Sequence, residues 1–157
     1  MMRISNKLST VISLCLTLIL LAALCVLAVW LPMVVDSMID VTDIIGNRGE
    51  LTNPERVFVL ADAYVMIAVA FGAVILLFYL LRSVLLERIL TESATRLIAS
   101  ISWCCFAEGV LFLAISYYFQ LAFGVAVAAC FVGLCLRVVK NVIAEATRIK
   151  SENDFTI

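Results

Sequence analysis

Four long apolar runs separated by short charged segments set the layout of this chain. The first, Leu8 to Leu31, carries no charge and is closed by Pro32; the second extends from about Val57 to Leu81. The third covers about Leu97 to Tyr118 and the fourth about Leu121 to Val139. Each matches the roughly 20 residues that carry a helix through about 30 Å of hydrocarbon. The pattern predicts an all-α, polytopic membrane protein, a four-helix bundle forming one membrane domain over residues 1–157.

The segments between the runs refine this layout. Arg3 and Lys7 give a basic start, as in a signal peptide, but the apolar run is too long for one and closes on Trp30, an interface anchor. Leu24 just before Cys25 is a poor lipoprotein signal, so an uncleaved first span is expected. Residues 33–56 form the one sizeable loop, with five acids (Asp36, Asp40, Asp43, Glu50, Glu55) against Arg48 and Arg56. Met38, Val41 and Ile45 recur at helical spacing and predict a short helix on the membrane surface. Gly46-Asn47-Arg48-Gly49 predicts a turn. Asn53-Pro54-Glu55 predicts a helix start with Asn53 as N-cap. The apolar residues between Val84 and Leu90 extend the second helix beyond the bilayer. Tyr117 to Gln120 leaves room only for a tight turn, so spans three and four form a hairpin. Past Arg137 and Lys140, the stripe Val139, Val142, Ile143, Ala146 and Ile149 carries the fourth helix on as an amphipathic tail to about Ser151.

Charge then gives an orientation. With the N-terminus inside, Arg3, Lys7, Arg82, Arg88, Arg96, Arg137, Lys140, Arg148 and Lys150 face inward, and only Arg48 and Arg56 face outward. Basic residues in short loops stay inside, so both termini are expected in the cytoplasm.

The apolar content, 65%, exceeds the roughly 45–50% of soluble domains. There is no histidine, and all six cysteines lie inside apolar runs without C-x-x-C spacing. A metal site, a disulfide framework and a cofactor are therefore not expected. With no phosphate loop and no nucleophile–base pair either, the chain is not expected to be an enzyme.

The residue that calls for an explanation is Glu108, midway along the third run. A carboxylate at such depth costs several kcal/mol, at least about 2.5–3.5. Ile101, Cys104, Cys105, Leu111, Phe112 and Ile115 share its helix face. No Lys or Arg lies at comparable depth, so the neutral acid is expected, bonded to hydroxyls such as Thr17 or Tyr64 or to a backbone carbonyl. A structural interhelical bond, a ligand- or lipid-sensing centre and a proton-coupled transport site are all open readings. Asp62, near the start of the second span, reads either as a carboxylate favoured by the helix dipole or as an outer polar site. Cys104 and Cys105 have no neighbouring base to activate them. On the fourth span, Gly124/Ala128 and Ala129/Gly133 are small-x-x-x-small pairs, suited to packing within the chain or to a homo-oligomer. Arg137, Lys140, Arg148, Lys150 and Phe155 mark a surface for lipid or a soluble partner.

Three motifs carry a resemblance: Ile101-Ser102-Trp103-Cys104-Cys105-Phe106-Ala107-Glu108-Gly109, Arg137-Val138-Val139-Lys140-Asn141-Val142-Ile143, and Glu152-Asn153-Asp154-Phe155-Thr156-Ile157. Together they resemble a family of small bacterial four-span membrane proteins of unknown function, over nearly the whole chain. The resemblance implies a bacterial inner-membrane protein. Genes of that family often neighbour one for a Cro/CI-type helix-turn-helix regulator, which implies such a regulator as partner and no direct contact with nucleic acid. The expected function is a sensor or anchor that binds the regulator through its cytoplasmic face. The alternatives are a small transporter or channel subunit using Glu108, and a structural subunit of a membrane complex.

Overall fold

A backbone in lipid must satisfy its own hydrogen bonds, and four helices do so here. The computed structural model describes residues 2–45, 52–86 and 91–154, with side chains for 8–40, 52–86 and 91–152. The helices are α1 (Met2–Ile45), α2 (Asn53–Leu85), α3 (Glu92–Ile115) and α4 (Gln120–Asp154). All four are long and apolar enough to cross a membrane.

The first departure from expectation is at Pro32. The helix does not end there; α1 continues through it for 44 residues in all, absorbing the predicted loop start and surface helix. Proline removes one backbone bond, at a cost of about 3 kcal/mol in a water-exposed helix. Unwinding near lipid would expose several groups instead of one. Leu31 and Val35, on either side of the proline, are also buried against Val59, Ala63 and Ile67 of α2. The predicted turn at Gly46–Gly49 lies outside the described residues.

The next two helices, α2 and α3, each start behind a threonine. Thr52, not Asn53, precedes α2, and the Glu55 carboxylate accepts from its backbone N–H at 2.8 Å and its hydroxyl at 2.7 Å. Pro54 sits in the first turn, where its missing N–H costs nothing. At the other end α2 runs to Leu85 with Leu86 as its cap, and the rest of the predicted extension, residues 87–90, lies outside the described residues. The Thr91 hydroxyl accepts from the Ala94 N–H at 3.3 Å and so opens α3. The predicted hairpin is present: Tyr118 and Phe119 N–H groups return to the Ile115 carbonyl at 2.8 and 3.0 Å, and α4 begins at Gln120. The fourth helix then runs unbroken to Asp154.

The helices pack as a row. α1 meets α2, α2 meets α3 and α3 meets α4; α1 and α4 do not meet among the described residues. Among the described residues, the four spans thus pack in chain order. The α3–α4 turn leans back on α2, where the Phe58 and Tyr118 rings lie 6.2 Å apart. A second cluster joins Met66 of α2, Ile115 of α3 and Ala122 of α4, with Leu111, Phe112 and Phe119 around it. Outward-facing leucines, valines and isoleucines along α1 (Leu16, Ile19 and Val29 among them) suit a lipid-facing helix.

Candidate functional site

Two carboxyl groups face the apolar interior between α2 and α3. Glu108 is half-buried, and its Oε1 is sealed from solvent without a hydrogen bond from the described residues; Asp62 Oδ2 is in the same condition. The two acids lie within electrostatic reach of one another. Asp62 stands one turn before Met66, and Glu108 one turn before Leu111 and Phe112. Met66, Leu111, Phe112 and Ile115 belong to an apolar cluster on the same two helices. The sequence treats them as separate features; the fold makes them a pair.

The hydroxyl partners expected for Glu108 do not reach it. Thr17 is buried, but its hydroxyl donates to the Ser13 carbonyl of its own helix at 2.8 Å, and α1 does not touch α3 among the described residues. Tyr64 is exposed. Thr17 instead helps line a shallow apolar recess with Val74, Phe78 and Tyr79. Cys104 and Cys105 are free, half-buried thiols within reach of the Glu108 charge, as their spacing predicts. Among the described residues, no three His, Cys, Asp or Glu side chains gather as a metal site.

The α3–α4 seam is the other built feature. Ser102 is fully buried and donates from Oγ to the Gly133 carbonyl at 2.9 Å. A Cβ added at Gly109 would meet Cys130 Sγ at 2.6 Å and the Ala126 carbonyl oxygen at 3.3 Å, so only glycine allows this approach. One at Gly133 would press on the Phe106 ring at 3.3 Å. Of the predicted packing residues, Gly133 and half-buried Ala129 belong to α4's inner side. Gly124 and Ala128 are exposed, and a Cβ at Gly124 would meet nothing. Sequence reasoning missed Ser102 and Gly109. Their signal is the heptad spacing of small residues Thr95, Ser102 and Gly109, answered on α4 by Ala122, Ala126, Cys130 and Gly133.

The predicted partner surface is uneven. Arg137 is half-buried, its guanidinium 4.5 Å from the centre of the Trp103 ring and 5.8 Å from that of Phe106. It belongs to the seam as much as to a free surface. Lys140 approaches the Asn141 side-chain oxygen at 3.4 Å. Arg148 pairs with Glu145 at 2.7 Å and Glu152 at 3.8 Å, and Lys150 is exposed. Phe155 lies outside the described residues.

Four spanning-length apolar helices with a polar pair held between two of them define a multi-pass membrane protein. Within that class, the chain belongs to the family described as protein of unknown function (DUF2975), which it matches over residues 41–157. The three motif segments fall inside the match, while α1 up to Asp40 falls outside it. No curated protein and no solved structure matches the chain.

Proposed function

We propose that this is a non-enzymatic bacterial inner-membrane anchor or sensor that holds a soluble regulator against the basic ends of its helices, with both termini in the cytoplasm. One observation carries the reading. Ser102 of α3 is level with Gly133 of α4, so α3's first residue, Glu92, is level with about Ile143. The part of α4 from there to Asp154, roughly 16 Å at 1.5 Å per residue, projects past its neighbour. Val142 and Ile149 are exposed on or beside that projection, flanked by Lys140, Arg148 and Lys150. An unpartnered amphipathic helix suits a groove on a soluble protein. The family resemblance supplies the partner class, a Cro/CI-type helix-turn-helix regulator. Co-purification of such a regulator with the full chain, reduced at least tenfold by truncation after Asn141, is the expected result. Equal recovery with the truncated chain removes the reading.

The Asp62–Glu108 pair favours a second reading, a small transporter or channel subunit. Two acids sealed in an apolar setting within electrostatic reach of one another suit stepwise passage of a proton or cation. In reconstituted vesicles, proton-dependent flux abolished by Glu108→Gln would support it; flux equal to that of protein-free vesicles would end it.

A further inference from the structure

Arg137 is a cation held in place and left without an anion. Its guanidinium lies over Trp103, and the support beneath is layered. Gly133 leaves space for the Phe106 ring, Phe106 meets Trp103 edge-on with centroids 6.0 Å apart, and Arg137 covers both rings. Stacking occupies a face of the guanidinium and leaves its in-plane N–H donors available. Several described carboxylates are engaged elsewhere: Glu92 with Arg96 at 2.6 Å, Glu145 and Glu152 with Arg148. No carboxylate lies within ion-pair distance of Arg137 among the described residues.

Depth decides which anion fits. Arg137 is the eighteenth residue of α4, which places it about 26 Å along the helix at 1.5 Å per residue. That is close to the far border of a hydrocarbon core about 30 Å thick. Trp103 is 63% exposed on the same outer surface, as a side chain at a lipid interface would be. Lys140 follows one turn later toward the headgroups and adds a second positive charge.

The geometry points to a binding site for the phosphate of an anionic phospholipid, formed by Arg137 and Lys140 on the Trp103–Phe106 shelf, in the leaflet at the basic end of the helices. The guanidinium fork takes two phosphate oxygens, and Lys140 adds a point charge. Trp103 and Phe106 fix the arginine and border the first acyl carbons. This inference is independent of any soluble partner.

Native mass spectrometry of the full chain, released from nanodiscs of mixed phosphatidylglycerol and phosphatidylcholine, provides the test. Wild type is expected to retain phosphatidylglycerol at least fivefold over phosphatidylcholine. Arg137→Gln and Trp103→Leu are expected to bring that ratio near one, and Arg56→Gln, at the acidic end of the helices, to leave it unchanged. Retention that survives Arg137→Gln overturns the site. Displacement of the lipid by millimolar inorganic phosphate assigns the site to a soluble anion and overturns the lipid. A photoactivatable phosphatidylglycerol on unmodified protein keeps the test open if the variants do not fold. Labelling centred on the peptides holding Trp103 and Arg137 supports the proposal, and labelling confined to other helices overturns it.

Discussion

The two ends of the row of helices are held by different means. The α3–α4 hairpin is closed by a short turn, a buried Ser102–Gly133 hydrogen bond, close approach at Gly109 and the Arg137–Trp103 stack. Among the described residues, α1 meets α2 and no other helix, through apolar contacts and an ion pair at the acidic end, where Arg56 meets Asp36 at 2.5 Å. Between helices in lipid there is no hydrophobic drive, so close packing and hydrogen bonds must hold them together. The hairpin has close packing at Gly109 and Gly133 and one buried hydrogen bond. It also lies within the family match, which begins only at residue 41, after the part of α1 that packs on α2.

Substitutions can break or sharpen this contrast. Gly109→Val should cost most, about 2–3 kcal/mol, because the Ala126 carbonyl cannot retreat without moving a helix. Denaturation in mixed detergent micelles would register it, and wild-type stability would contradict the seam. Ser102→Ala should cost about 0.5–1.5 kcal/mol in the same assay, the usual worth of one interhelical hydrogen bond. Asp36→Asn should cost at most about 1 kcal/mol, falling as salt is raised, since both partners are about half exposed. A larger, salt-independent loss would mean that α1 is held more firmly than this packing allows. Gly124→Ala should change stability least, by no more than about 0.5 kcal/mol, its site being open. A marked fall in the detergent-solubilised mass with this variant would reveal a second copy on that face.

The spans and the hairpin were readable in the sequence because run length, tyrosines and a four-residue gap constrain them directly. The ends were less so. Proline reads as a stop by its local chemistry, whereas a helix near lipid pays less to keep Pro32 than to unwind. The partners of Glu108 were not readable, since depth counting ranks residues along the membrane normal and says nothing about which helices touch. Thr17 shares a plausible depth but sits on a helix that α3 does not meet among the described residues. Asp62 was visible as an acid and invisible as a neighbour of Glu108 for the same reason. The small-residue pairs on α4 were visible too, but motif spacing alone could not separate inward Gly133 from outward Gly124. Only the answering heptad of Thr95, Ser102 and Gly109 does so.

The proposed function requires that the projecting end of α4 and the start of α2 lie on opposite sides of the membrane. Single cysteines at Thr52 and Ser151, in a chain whose six native cysteines are replaced by serine, can be labelled with a membrane-impermeant maleimide in intact cells. Labelling of Thr52→Cys in intact cells, with Ser151→Cys labelled only after the membrane is opened, is the predicted result. Labelling of both in intact cells would contradict the account.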